Sequence, residues 1–136
     1  QPKSIQLCHI DAVPDNFLFV TGKDGSEEIK LTDWEYAGMQ DPHLDVAMFI
    51  IYAMYDRDSA EKLIDLYFSD GCDQATRLKI YCYIAVSGLV WSNWCEFKRH
   101  CGVEFGAYAQ RQYDYAREYT KIFFKEYREA FGRDYV

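Results

Sequence analysis

The sequence predicts a mainly helical domain in which one short β-hairpin is followed by about four helices. Three observations carry that expectation. Two β-branched and aromatic runs, FLFV at 17–20 and IKLT at 29–32, flank a segment whose Asp24-Gly25 pair is a hairpin turn signal. Everything after Pro42 has helical spacing of its apolar residues. Lys98, Arg99 and His100 are followed by Gly102, the charge and capping pattern of a helix C-terminus.

The elements follow in order. Residues 5–8 read as a brief strand, and 9–15, with Pro14 and two aspartates, as an irregular loop. The hairpin of 17–20 and 29–32 is the only sheet that the pattern supports. Helices are expected at roughly 43–55, 59–68, 73–101 and 104–131, the second ended by the Gly71 region. The last alternates aromatic with charged residues, so its Lys and Arg read as a solvated face. No repeat, low-complexity tract or linker interrupts this order.

At 136 residues the chain reads as one domain, large enough to bury a substantial core. Its net charge of −7 argues against nucleic acid or an anionic membrane as the main partner, since both require a basic face. A small cation suits that charge. Five cysteines without a CxxC pair fit a reducing compartment, so the expectation is a cytoplasmic protein. The apolar run at 46–54 falls well short of the roughly 20 residues that span a bilayer, and the opening residues do not lead one to expect a signal peptide.

The chemistry concentrates in CHIDAVPDN at 8–16 and TDWEYAG at 32–38. If Val20 pairs with Ile29 across the turn, Asn16 falls opposite Asp33, and two oxygen-bearing side chains converge. Asp11, in the loop that feeds the hairpin, can lie near the same point. An amide oxygen and carboxylates suit Mg²⁺, which shares its shell with phosphate oxygens and water. An acid beside the metal can receive a proton. Cys95, His100 and Cys101 match no standard zinc spacing, and neither GxxxxGK[ST] nor GxGxxG occurs.

The pattern H-x-D-x-x-x-x-N, met by His9, Asp11 and Asn16, and the later Asp33 resemble the catalytic apparatus of the protein-kinase-like fold. DWEY stands where protein kinases have DFG. With CHID, DWEYAG resembles the choline and ethanolamine kinase family, a branch close to the aminoglycoside phosphotransferases. The resemblance implies that Asp11 accepts the proton of the substrate hydroxyl, while Asn16 and Asp33 hold Mg²⁺ on the phosphates of ATP. It gives His9 and Asp45, the latter in DPHLD, structural roles that brace the loop.

Trp91 and Trp94 are three apart on the long predicted helix, so their rings share a face. Tyr36 follows the metal motif, and Phe105 and Tyr108 lie just past Gly102. Spacing alone fits a packed core as readily as a cage for quaternary ammonium, which aromatic faces attract. The family places a W-x-x-W pair and a Tyr in a YAQ-like segment around choline, and the Tyr of its DxEY stretch lines that site. Trp91, Trp94, Tyr108 and Tyr36 match these places, with Phe105 a weaker match. Near Tyr52 this chain lacks the acidic partner that eukaryotic members present to the ammonium, and Met39 and Gln40 fall where relatives often have aromatic residues.

The resemblance covers nearly all 136 residues but only the second half of a normal kinase chain. The chain is thus expected to be a carboxy-terminal lobe, without the amino-terminal lobe that covers ATP. Alone it should transfer little phosphate, because phosphoryl transfer depends on positioning and electrostatic stabilisation from both sides. Three other readings remain: an aminoglycoside-type phosphotransferase lobe, a non-catalytic module that binds quaternary ammonium, and a homodimer formed through the exposed inter-lobe surface.

Overall fold

The structure, a computed structural model, describes residues 5–132. Strand β1 (Gln6–Cys8) leads through a loop and a 3₁₀ turn (Pro14–Asn16) into the hairpin of β2 (Phe17–Thr21) and β3 (Glu27–Leu31). Then come β4 (Gly38–Gln40) and helices α1 (His43–Tyr52), α2 (Arg57–Tyr67), α3 (Gln74–His100) and α4 (Ala107–Phe131). The order is mainly helical, a few short strands followed by four helices, as expected.

Two findings correct the expected sheet. First, β1 and β4 form a second antiparallel pair, with Leu7 opposite Met39 and Cys8 opposite Gly38. Three-residue strands carry too little alternation to announce themselves, and their pairing closes a long loop that local pattern does not record. Second, the hairpin register is one residue off the expected one: Phe19, not Val20, faces Ile29. The reason lies in the turn. Gly22 N–H donates to Ser26 O at 2.7 Å, Gly25 N–H donates to Gly22 O at 3.0 Å, and Gly25 has φ +83°. That left-handed residue makes the connection odd in length and shifts the ladder by one. Asn16 therefore meets Thr32, whose N–H donates to Asn16 O at 3.0 Å, and Asp33 lies one step beyond.

The helices lie close to their expected positions, and their ends have local causes. Asp56 caps α2 by accepting from Ser59 N–H at 2.9 Å, which starts that helix two residues early, and Asp73 caps α3 through Thr76 N–H at 2.9 Å. Helix α1 stops at Tyr52 because Met54 adopts φ +52°. Tyr55 N–H then reaches Ile50 O at 3.1 Å and Met54 N–H reaches Ile51 O at 3.4 Å, a Schellman closure with Met in the place usually taken by Gly. Gly102, at φ +84°, closes α3 in the same way, with Val103 N–H on Lys98 O at 3.1 Å. The left-handed Gly106 delays α4 to Ala107.

The core joins Val46, Ala47, Ile50 and Ile51 of α1 to Ile80, Tyr81 and Ile84 of α3 and to Tyr115 and Tyr119 of α4. Helices α3 and α4 approach closely at Gly88, where an added Cβ would lie 2.7 Å from Gln112 O and 2.9 Å from Tyr115 Cβ. Helix α4 also grips the end of α1. Gln112 Nε2 donates to Ile51 O at 2.9 Å, Tyr115 O–H donates to Tyr55 O at 2.5 Å, and Arg111 Nη2 donates to the same oxygen at 3.0 Å. Those bonds satisfy carbonyls that the helix leaves open. At the opposite side, Asp41 accepts from Lys79 Nζ at 2.6 Å and Tyr83 O–H at 3.1 Å, fastening β4 to α3. Among the described residues no helix is long and apolar enough to cross a membrane.

Candidate functional site

The loop between β1 and the hairpin is held from behind by one carboxylate. Asp45, in the first turn of α1, accepts from His9 N–H and Ile10 N–H, each at 2.8 Å. Ile10 has φ +70°, a conformation that costs a β-branched residue on the order of 1–2 kcal/mol and needs such external support. His9 is buried, its Nε2 donates to Thr32 O at 2.7 Å, and its ring meets Trp34 edge-on at 4.7 Å. His9 thus links the loop to the segment after β3, while Asp45 ties the loop to α1.

Within the loop, the Asp11 backbone carbonyl accepts from Val13 N–H at 2.8 Å and from Asn16 Nδ2 at 2.9 Å. Because Nδ2 is occupied in this way, Asn16 keeps its amide oxygen as an acceptor. Asp33 is exposed just past β3 with φ +63°. An amide oxygen and a carboxylate are the hard donors that Mg²⁺ takes, so this pair fits the ion with phosphate oxygens and water completing its shell. Among the described residues no group of three or more His, Cys, Asp or Glu is gathered for a metal. Cys95, His100 and Cys101 accordingly form no such group, and all five cysteines are free thiols.

Asp11 opens onto a cleft of about 760 Å³. Tyr36, Trp91, Trp94, Phe105 and Tyr108 all line it. The rings of Trp91, Trp94, Phe105 and Tyr108 form a continuous wall: Trp91 to Trp94 at 5.8 Å, Trp94 to Phe105 at 5.1 Å, and Phe105 to Tyr108 at 6.4 Å. The Trp91 ring also rests against the core, so core and cage are two sides of one wall. Burial, followed by the negative field of neighbours that include Asp11, pushes the Tyr108 phenol well above its usual range. Asn16 and Asp33 lie outside this lining, as does Met39, which is exposed on β4.

Sequence reasoning missed Tyr52 and Asp15. Tyr52, the last residue of α1, lines the cleft and packs against Trp91 at 5.9 Å between centroids. Burial and then the Asp11 carboxylate hold its phenol proton far more tightly than usual. In a helix crowded with apolar residues one more aromatic carries no signal; only the end of α1 aims it into the cleft. Asp15, beside Pro14 in the 3₁₀ turn, adds a second carboxylate to the lining.

Residues 1–81 match the family described as "Phosphotransferase enzyme family". Protein LicA of Haemophilus influenzae is 31% identical over 124 residues, covering 82% of this chain and 42% of that protein. The choline/ethanolamine kinase family protein of Mesorhizobium loti superposes with a TM-score of 0.71 at 27% identity, over 89% of this chain and 41% of that one. Choline kinase LicA of Streptococcus pneumoniae does so with a TM-score of 0.64 at 30% identity, over 88% and 41%. A LicA structure in complex with AMP gives a TM-score of 0.66. The chain therefore spans about two fifths of the length of these relatives. With its motif residues inside the matched span, and relatives that include choline kinases, the chain belongs to the phosphotransferase enzyme family.

Proposed function

We propose that this chain is the catalytic-loop and acceptor-binding lobe of an ATP- and Mg²⁺-dependent kinase of choline or a similar amino alcohol such as ethanolamine. The observation that carries the reading is that Asp11 and the aromatic wall share one cleft. A quaternary ammonium desolvated against such rings gains about 2 kcal/mol or more. With the ammonium on Trp91 and Trp94, a short amino alcohol directs its hydroxyl to Asp11. Asp11 takes the hydroxyl proton, the freed oxygen bonds to the γ-phosphorus of ATP, and the bond to the bridging oxygen breaks to release ADP. Asn16 and Asp33 would hold Mg²⁺, which when bound would supply positive charge against the phosphates. His9 and Asp45 keep the loop in place without touching substrate. The negative cleft rim formed by Asp15 suits a cationic acceptor.

The nucleotide-covering lobe comes from outside these 136 residues, and the chain alone transfers little phosphate. Phe19 and Ile29 on one small sheet and Leu7 and Met39 on the other are exposed apolar residues suited to be covered by this lobe. A second copy of the chain is the competing occupant, and light scattering separates monomer from dimer. A reducing, cytoplasmic location agrees with the five free thiols.

The test is phosphoryl transfer from labelled ATP to choline by the chain combined with the nucleotide-covering lobe of a relative. Asp11→Asn should lower turnover at least 10³-fold, on the order of 4 kcal/mol. Transfer that survives Asp11→Asn would refute the assignment. Calorimetry with choline on Trp91→Ala addresses the cage: affinity should fall at least tenfold, about 1.4 kcal/mol. A preference for aminoglycosides over choline would favour the related phosphotransferases. Choline binding with no transfer under any combination would leave a binding module.

A further inference from the structure

The aromatic wall already carries a cation of the chain's own. Lys98 lies in the last turn of α3, one helical turn after Trp94, and its Nζ stands 5.5 Å from the centroid of the Trp94 ring. That is inside the roughly 6 Å at which an aromatic face holds an ammonium. The nearest acid along the helix, Glu96, is engaged by Arg99 at 2.7 Å and by His100 at 3.3 Å, and among the described residues Lys98 forms no ion pair. The half-buried Lys98 thus has the indole as its partner.

Lys98 is not part of the cleft lining, whose charged members are Asp11 and Asp15, so its ammonium reaches Trp94 from outside the cleft. The two tryptophans differ in this respect. Trp91 rests on the core and against Tyr52, and among the described residues no Lys or Arg stands over its ring. A second cation on Trp94 must share the ring's negative quadrupole with the first and is repelled by it. Two unit charges with an indole between them lie roughly 10 Å apart, about one Debye length at physiological salt, so the repulsion is modest and sensitive to salt.

We propose that Lys98 is a specificity-determining residue: its ammonium on Trp94 opposes a cationic acceptor at that ring, lowers the affinity for it and leaves Trp91 as the stronger anchor. The inference rests on the reading of the aromatic wall as the ammonium site given above. An uncharged acceptor of the same shape meets no such opposition. Lys98 therefore narrows the advantage that the acidic cleft gives to cations over neutral molecules.

Calorimetry on the 136-residue chain, with choline and with its uncharged carbon isostere dimethylbutanol, tests this directly. Lys98→Met keeps an apolar stem over the indole and removes the charge, while Lys98→Arg keeps the charge. At low salt Lys98→Met should bind choline about two- to fivefold more tightly than the parent, and the gain should shrink in about 0.5 M salt. Dimethylbutanol should bind parent and Lys98→Met alike, and Lys98→Arg should bind choline as the parent does. Choline affinity that Lys98→Met leaves unchanged or weakens would overturn this inference alone. So would an equal gain for both ligands, which would trace the effect to space rather than charge. Choline bound by neither parent nor Lys98→Met counts against the proposed function and takes this inference with it.

Discussion

Removing the Asp45 carboxylate should loosen the loop that carries Asp11 more than any comparable change at the surface. Asp45 accepts two backbone N–H groups at 2.8 Å, from His9 and Ile10. A hydrogen bond to a charged acceptor contributes about 1.5–3 kcal/mol, so losing two costs about 3–6 kcal/mol. Release of Ile10 from its left-handed conformation returns about 1–2 kcal/mol. The net loss for Asp45→Ala is therefore about 1–5 kcal/mol, a drop in Tm of roughly 3–15 °C for a chain of this size. Asp45→Asn keeps one acceptor oxygen and should lose about half as much. Urea unfolding followed by circular dichroism reads both values, and choline binding by the Ala variant should weaken in parallel. Stability of Asp45→Ala within about 0.5 kcal/mol of the parent would refute the bracing argument.

Gly88→Ala forces a methyl group against the α4 backbone, 2.7 Å from Gln112 O and 3.1 Å from Ala116 N. Overpacking against backbone falls at the upper end of its range, about 2–3 kcal/mol, and the gain in helix propensity returns up to about 1 kcal/mol, so urea unfolding should show a net loss of about 1–3 kcal/mol. A stabilised variant would mean that α3 and α4 are not in contact there. His43, which meets Phe68 edge-on at 5.1 Å, is held below its ordinary value first by burial and then by Lys79, against the opposing pull of Asp41 and Asp73. Its proton therefore binds the unfolded chain better. The His43 contribution is complete above the unfolded value of about 6.5 and is lost as pH falls from there through the lower folded value. A stability profile between pH 8 and 5 should be flatter for His43→Gln than for the parent, and identical slopes would contradict the assignment.

How much of this was legible in the sequence depended on how local each signal was. The Trp91–Trp94 pair, the closure at Gly102 and the Asp24-Gly25 turn all follow from spacing within one or two turns of chain, and the structure has them where expected. Asp45 was legible through its place after DWEY, although its bonds cross 35 and 36 residues. The register was not, because one left-handed glycine decides between odd and even connections and no neighbouring residue reports which. Strand β4 and the cleft role of Tyr52 depend on contacts between segments distant in sequence, which periodicity does not encode. Met54 shows the same limit from the other side. Nothing about a methionine marks a left-handed helix end, yet Met54 closes α1, and a distant donor on α4, Gln112, takes up the Ile51 carbonyl there.

The most direct measurement is the set of intermolecular nuclear Overhauser effects between choline and the chain. Choline N-methyl protons should show cross-peaks to the Trp91 and Trp94 rings, while the hydroxymethyl protons should show them to Asp11. Methyl groups remote from both indoles, or a hydroxymethyl end pointing away from Asp11, would contradict the account.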